Sequence, residues 1–294
     1  MSQPTLSAVV AGSRSTLSET ARLVRRSTAF DLAATVDLDR GDEEAESRLS
    51  AFPGADLVVL DAVGAERLRL IRRLREARKA VLLADPFPLP LGELDQLLGL
   101  QAAGGPPIGV LAPHRALLDG FAPGSLPAPF TCGVLEVSDY RPAEAHRWAR
   151  WAPLAEDRAA QAALRSAAPY LDLACQLLGE PEAVRAPGPD DGTRVGTVDF
   201  AGGCRFTFAM TSRSSSHVER LDLLGRDARL RIEGGRASLE QDFAVRTAEL
   251  PSLISACELL LHEMASAIRA VGRLRYGSLA AGRGLAMILE ELGK

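Results

Sequence analysis

A turn reading Gly12-Ser13-Arg14 joins a short apolar run to an amphipathic segment, and a second apolar run leads to Asp37. Hydroxyl, guanidinium and backbone amide groups at the start of a helix bind phosphate, and a carboxylate at the end of the next strand binds a ribose diol. This order of residues predicts a βαβ unit that holds a dinucleotide, with Gly12, Ser13 and Arg14 at the pyrophosphate. Asp37 would bind the adenosine ribose, which favours NAD over NADP as the cofactor.

The glycines of this turn are mostly missing. Dinucleotide-binding turns read G-x-G-x-x-G, and the three glycine positions are Ala11, Ser13 and Thr16 in this chain. A Cβ at the second position keeps the backbone further from a pyrophosphate, and one at the third obstructs helix–strand packing. Ser13 as an N-cap and Asp37 as an acid that ends a strand are the structural alternatives. The residues leave both readings of the turn open.

A second group of chemically useful residues is Pro113-His114-Arg115, which follows an apolar run at residues 108–111. Ligands of open α/β sheets bind at the carboxyl ends of the strands, and an imidazole can exchange a proton near neutral pH. His114 is therefore a candidate acid–base residue, with a plain surface histidine as the alternative. The four cysteines are widely spaced and form no C-x-x-C pair, so we predict neither a metal site nor a disulfide framework.

The elements that would position these groups alternate along the first third of the chain. Apolar runs at 56–60, 80–83 and 108–111 are separated by amphipathic segments at 67–78 and 91–102. Strands separated by helices of this length form a parallel sheet with right-handed crossovers. We predict an α/β fold class, with a Rossmann-like domain of the dinucleotide-binding type at residues 1–120.

The pattern changes after residue 120. Strand-like runs at 130–137, 194–200, 205–210, 218–224 and 228–232 are followed by helix-like segments at 254–271 and 279–292. This clustering predicts an α+β domain with a mostly antiparallel or mixed open sheet at residues 121–294, of the substrate-binding or dimerisation type. The serine-rich run 211–216 before His217 has no third catalytic partner, and we predict an exposed loop there.

Bulk composition argues against two classes of partner. The net charge of −4 gives no reason to expect nucleic acid. No apolar run approaches the roughly 20 residues of a membrane span, and the N-terminal residues lack the pattern of a signal peptide. We therefore expect a cytoplasmic protein that binds neither nucleic acid nor a membrane.

Two stretches, Ala55 to Pro86 and Tyr170 to Pro181, carry a family resemblance, as do the runs 198–206 and 219–230. The first resembles V-D-A-V-V-I…A-G-K-H-V-L-C-E-K-P and the second H-x-x-D-L-x-x-x-L-L-G-E-P, both motifs of the Gfo/Idh/MocA family of NAD(P)-dependent oxidoreductases. The two runs look like that family's C-terminal sheet. The resemblance implies redox chemistry on a sugar, cyclitol or related carbonyl compound. It also implies a small polar ligand in an interdomain cleft and a homo-oligomer formed through the C-terminal sheet.

The chain departs from the family at its catalytic positions. The family's lysine, aspartate and histidine correspond to Asp85, Arg165 and Pro169. Proline can neither donate a proton nor stabilise a developing oxyanion. A shift of the alignment by one residue would put Tyr170 near the histidine position, where it could donate a proton. Asp172 matches a family position, with a structural role on a buried helix face as the alternative, and the resemblance adds Arg115 beside His114 near the substrate.

Three functions follow as alternatives. The first is an active oxidoreductase that uses NAD or NADP with His114 or Tyr170 as the proton donor. The second is a noncatalytic relative that serves as a binding or partner subunit, for example in a hetero-oligomer with an active homologue. The third is an enzyme that carries out other chemistry in the same cleft. A fold shared by all three does not choose among them.

Overall fold

The structure is a computed structural model that describes residues 4–38, 54–62, 64–84, 89–117, 119, 129–140, 158–187, 193–270 and 272–293. The chain forms two compact units. The first comprises Met1–Ala116 with Leu253–Ala281, and the second comprises Leu117–Ser252 with Gly282–Lys294. Among the described residues, no helix is both long enough and apolar enough to cross a membrane.

Strands and helices alternate in the first unit. Its elements are β1 (Leu6–Gly12), α1 (Arg14–Arg26), β2 (Phe30–Asp37), β3 (Leu57–Leu60), α2 (Gly64–Glu76), β4 (Ala80–Leu83), α3 (Leu91–Ala102) and β5 (Ile108–Val110). The five strands pair in parallel in the order β2-β1-β3-β4-β5. Every residue of β3 and β4 is buried, as is typical of parallel strands covered on both faces. The predicted Rossmann-like parallel sheet is confirmed.

The order of strands creates a switch point at β1. From β1 the chain crosses to β2 on one side, and the next strand, β3, pairs with β1 on the other side. In open α/β sheets, the carboxyl ends of the two strands at such a switch point border the crevice where ligands bind. The residues that end β1 and β3 are therefore the first place to look for a site.

The second unit holds a mixed sheet. Its strands are β6 (Phe130–Tyr140), β7 (Pro181–Arg185), β8 (Thr193–Phe200), β9 (Arg205–Thr211), β10 (Arg213–Gly225), β11 (Ala228–Glu233), β12 (Arg236–Gln241) and β13 (Ala244–Glu249). They pair in the order β13-β12-β11-β10-β6-β9-β8-β7, and only the β6–β9 ladder is parallel. The predicted α+β arrangement with a mixed sheet is confirmed, although β7, β12 and β13 were not predicted.

One face of this sheet packs against helices of the same unit. Helix α4 (Arg158–Leu178) contacts β6, β8 and β9, and helix α6 (Arg283–Leu292) contacts β7. The phenylalanine side chains of β9 fill this face, and a Cβ on Gly196 would lie 2.4 Å from Cζ of Phe208. Glycine in β8 therefore makes room for an aromatic ring on the neighbouring strand.

The serine-rich segment is part of a strand, so the prediction of an exposed loop was wrong. Residues 213–216 begin β10, and Arg213 pairs with Tyr140 of β6. The Ser138 hydroxyl of β6 donates a hydrogen bond to the Ser216 carbonyl at 2.9 Å. The register with β6 shifts between Arg213 and Val218, so the serines form an irregular part of the strand that the ladder holds at both ends.

The chain returns to the first unit near its end. Helix α5 (Leu253–Ile268) buries Ala256, Cys257, Leu260, Leu261, Met264 and Ala265 in one apolar cluster with residues of β1, β3 and β4. The chain thus passes from one unit to the other after residues 116, 252 and 281. From the sequence we predicted one boundary, after residue 120. The roles of residues 1–120 and 121–294 as dinucleotide-binding and substrate or dimerisation domains stay predictions.

Candidate functional site

Strand β1 passes into helix α1 through a tight turn. Ser13 is the N-cap of α1 in an extended conformation (φ −71°, ψ 154°), so α1 begins at Arg14, directly after the strand. The Ser13 carbonyl accepts hydrogen bonds from the amides of Thr16 at 3.1 Å and Leu17 at 2.9 Å. The Ser13 and Thr16 hydroxyl oxygens lie 3.2 Å apart and bond to each other. The amino end of α1 therefore lies at the carboxyl edge of the sheet, where backbone amides and the helix dipole favour an anion.

An acid lies on each side of Gly12. Asp37, the last residue of β2, is the register partner of Gly12 in the β1–β2 ladder. On the other side Ala11 pairs with Leu60, and the Asp61 amide donates to the Ala11 carbonyl at 2.8 Å, which brings Asp61 level with Gly12. Two aspartates therefore flank the turn, each one strand away from it.

Asp61 approaches Gly12 so closely that only glycine fits. A Cβ on residue 12 would lie 2.9 Å from the Asp61 Cβ and 3.3 Å from the Thr16 Oγ1. Asp61 is also buried, with 8% of its surface exposed. Sequence reasoning did not nominate this residue, and the only signal for it was an acid directly after the apolar run of β3.

These residues fit a dinucleotide better at the ribose than at the pyrophosphate. Asp37 is half-buried beside the turn, where this fold carries its ribose-binding acid. Gly12 and the amino end of α1 offer amides to the pyrophosphate, but Ser13 and Thr16 stand where glycines would let it approach. Arg14 is the first residue of α1, and its side chain lies outside the described side chains.

His114 and Arg115 lie in a 3-10 turn, Pro113–Ala116, at the carboxyl end of β5. Arg115 is buried, and its Nη1 donates to the carbonyls of Tyr276 at 3.1 Å and Ser278 at 2.6 Å. This guanidinium therefore ties the turn to the segment that follows α5. His114 is half-buried beside it, and the roles of both residues in catalysis stay predictions.

Glu263 of α5 also binds the backbone of the segment that follows α5. Its Oε2 accepts hydrogen bonds from the amides of Tyr276 and Gly277 at 3.1 Å each. The amide of Val110 in β5 donates in turn to the Gly277 carbonyl at 2.9 Å. The Glu263 carboxylate and the Arg115 guanidinium therefore both hold the segment that lies next to the turn with His114, and no sequence pattern predicted this connection.

Tyr170 lies in the second unit and is bonded to a carboxylate. Its hydroxyl donates to Oε2 of Glu219 in β10 at 2.7 Å, and Nε2 of His217 lies 3.7 Å from the other oxygen, Oε1. Burial, together with the hydrogen bond to Glu219 and the charge of that carboxylate, raises the pKa of Tyr170 well above its ordinary value. The structure brings Tyr170 and His217 to one carboxylate, and sequence reasoning missed Glu219 as the group between them.

The remaining candidates are distributed as follows. Asp172 is buried in α4, with 1% of its surface exposed, and its catalytic role stays a prediction. Pro169 lies inside α4, the Arg165 side chain lies outside the described side chains, and Asp85 lies outside the described residues. Among the residues that the structure describes, no three His, Cys, Asp or Glu side chains are grouped to hold a metal ion.

Comparison with solved structures assigns this architecture to a class. The chain has the fold of the Gfo/Idh/MocA-type NAD-dependent oxidoreductases, which confirms the fold that the sequence resemblance implied. It is similar to UDP-N-acetylglucosamine 3-dehydrogenase from Acidithiobacillus ferrooxidans, with a TM-score of 0.77 and 16% identity over 99% of this chain and 97% of that one. No protein-family model matches the sequence, and no curated protein matches it either.

Two further structures show what this fold binds elsewhere. An inositol dehydrogenase homologue from Azotobacter vinelandii, in complex with NADH and myo-inositol, has a TM-score of 0.75 and 16% identity over 99% of this chain and 95% of that one. Biliverdin reductase from Synechocystis, in complex with biliverdin and NADP+, has a TM-score of 0.71 and 14% identity over 98% of each chain. The cofactor in both is a nicotinamide dinucleotide, whereas the second ligands are chemically unrelated.

Proposed function

We propose that this chain is an oxidoreductase of the Gfo/Idh/MocA type that binds NAD(H) and acts on a sugar, cyclitol or related carbonyl or hydroxyl compound. The observation that supports it most is the register of Asp37 beside Gly12 at the switch point of the sheet. A carboxylate there accepts hydrogen bonds from the ribose diol and repels a 2′-phosphate, so it selects NAD over NADP. The bound cofactors of the similar structures agree with this class of ligand.

The chain's own residues have separate tasks in this proposal. The amides at the start of α1, with the Ser13 hydroxyl, bind the pyrophosphate, and Asp37 orients the adenosine ribose. The nicotinamide supplies or accepts a hydride when it is bound. His114, at the end of β5, exchanges the proton that a carbonyl oxygen gains or a hydroxyl loses, because an imidazole changes charge near neutral pH.

Calorimetric titration with NADH and NADPH tests the proposal. We expect NADH to bind and NADPH to bind at least about tenfold more weakly. Asp37→Ala should weaken NADH binding about tenfold or more, since a hydrogen bond to a charged group contributes about 1.5–3 kcal/mol. Asp31→Ala is the matched control, because Asp31 is an exposed acid near the amino end of the same strand. Failure of the parent protein to bind NADH would contradict the function, and equal affinities for parent and Asp37→Ala would contradict the ribose assignment.

A noncatalytic binding or partner subunit is the second candidate, and two contacts favour it. The Arg115 guanidinium is bonded to backbone carbonyls, and the Tyr170 hydroxyl is bonded to Glu219, so both groups already serve the packing of their own units. Oxidation of NADH in the presence of keto-sugars and keto-cyclitols separates the candidates. NADH binding without turnover, together with activity on adding an active homologue, would favour the partner subunit.

A further inference from the structure

Asp61 is the acid at the switch point to which the proposed function gives no task. It directly follows β3, and the hydrogen bond from its amide to the Ala11 carbonyl continues the β1–β3 ladder. It is buried against the turn, and its Cβ occupies the space next to Gly12. The buried side chain lies at the edge of the sheet where ligands of this fold bind, and this position calls for an explanation.

The order of the three strand ends suggests a role for the Asp61 carboxylate. Strands β2, β1 and β3 are neighbours in that order, so Asp37, Gly12 and Asp61 form a row across the carboxyl edge. Neighbouring strands lie about 4.8 Å apart, and each acid is therefore one strand spacing from the turn. A dinucleotide has the same order of groups, because a ribose lies on each side of its pyrophosphate.

We infer that Asp61 is the hydrogen-bond acceptor for the nicotinamide ribose, as Asp37 is for the adenosine ribose. The inference rests on the proposed function and adds a second specificity-determining residue to the same site. With acids on both sides of the turn, the chain binds the cofactor through its ribose hydroxyls more than through its phosphates. This arrangement accounts for the presence of Ser13 and Thr16 at two glycine positions, since the site depends less on close approach to the pyrophosphate.

A purely structural role of Asp61 gives a different result from a ligand-binding role. If the carboxylate only supports the turn at Gly12, its loss weakens every ligand of that turn alike. If it binds the nicotinamide ribose, its loss affects NADH and spares a ligand that has only the adenosine half. AMP is such a ligand, because it carries one ribose and one phosphate.

Calorimetric titrations of NADH and AMP into the parent protein, Asp61→Asn and Asp37→Asn therefore test the inference, with Asp31→Asn as the control. We expect Asp61→Asn to weaken NADH about tenfold and to leave AMP within about twofold of the parent. Asp37→Asn should weaken both ligands, and Asp31→Asn should change neither. Asp61→Ser serves as a second variant if Asp61→Asn folds poorly, with thermal unfolding of each variant as the check.

The outcomes separate the two proposals. Unchanged or tighter NADH binding by Asp61→Asn overturns the assignment of Asp61 and leaves the proposed function standing. Equal weakening of NADH and AMP also overturns it and assigns Asp61 a structural role. Failure of the parent protein to bind NADH contradicts the proposed function and the inference together.

Discussion

At the scale of single residues, Tyr170 shows how a partner determines what a side chain can do. A phenol that donates to the Glu219 carboxylate at 2.7 Å in a buried position holds its proton tightly. Its pKa is raised by burial first and by Glu219 second, so the neutral form is favoured in the folded chain. The group that the sequence nominated as a proton donor is thereby a weaker acid than an ordinary phenol, and its catalytic role stays a prediction.

Alkaline titration followed by tyrosine absorbance tests this account of Tyr170. The chain has three tyrosines, and we expect one to ionise far above the ordinary pKa of about 10. Because the pKa is raised in the folded state, the stability that the neutral phenol contributes is complete below about pH 10 and is lost as the pH rises through the folded value.

Tyr170→Phe should remove the late ionisation and lower the free energy of unfolding at pH 7 by about 1 kcal/mol through loss of the hydrogen bond. Tyr276→Phe is the control, since the ring of Tyr276 packs under the Arg275 guanidinium and makes a different contact. Persistence of the late ionisation in Tyr170→Phe would show that another tyrosine carries it.

At the scale of elements, a buried ion pair joins helices α2 and α3. Arg67 and Glu93 are both buried, and Nε and Nη2 of Arg67 donate to the two oxygens of Glu93 at 2.5 Å and 2.8 Å. Each residue lies in the first turns of a helix that follows a strand of the parallel sheet, after β3 and after β4. Two buried charges stabilise each other only while both are present, because each is costly alone.

Glu93→Leu should therefore lower the free energy of unfolding in urea by about 3–5 kcal/mol, since it leaves the Arg67 charge buried and unpaired. The double variant Arg67→Met with Glu93→Leu should lose less than Glu93→Leu alone, because no buried charge remains. Glu249→Leu is the control, since Glu249 pairs with Arg236 at the surface and such pairs contribute about 0–1 kcal/mol. The single variant Arg67→Met completes the comparison. A loss in the double variant equal to the summed losses of Glu93→Leu and Arg67→Met would disprove the coupling.

At the scale of the whole molecule, we predict that two copies associate through the face of the mixed sheet opposite α4. Register places Val134, Val195 and Leu224 on this face, where they are 43%, 47% and 37% exposed. Asp222 on the same face accepts hydrogen bonds at 3.0 Å from both Arg229 and Arg231. Burial acts to raise the pKa of Asp222, but these bonds outweigh it and hold the pKa below its ordinary value.

We expect sedimentation velocity to show a dimer at micromolar concentration, formed by two copies through this face. Apolar side chains with charges of both signs make a patch that can pair with itself about a two-fold axis. The double variant Val134→Glu with Val195→Glu should sediment as a monomer. Phe243→Glu is the control, because Phe243 is fully exposed at the turn between β12 and β13. A monomeric parent protein would contradict the prediction, and dissociation by the control variant would move the interface elsewhere.

Local sequence determined the elements of the first unit and the position of Asp37. Apolar runs of four or five residues between amphipathic helices are enough to specify buried parallel strands. Strands that are consecutive in sequence usually pair, and the pairing of β1 with β2 brings Asp37 beside Gly12. The same local signals predicted most strands of the mixed sheet. They failed at residues 213–216, which continue β10 through an irregularity in its register with β6.

Only the tertiary structure decided which distant groups meet. Asp61 lies beside Gly12 because β3 pairs with β1 rather than β2, and strand order leaves no trace in local periodicity. Tyr170 reaches Glu219 across 49 residues, and Arg115 reaches the Tyr276 carbonyl across 161. Such contacts depend on how whole elements pack, so a sequence pattern specifies the elements while the folded chain specifies the chemistry between them.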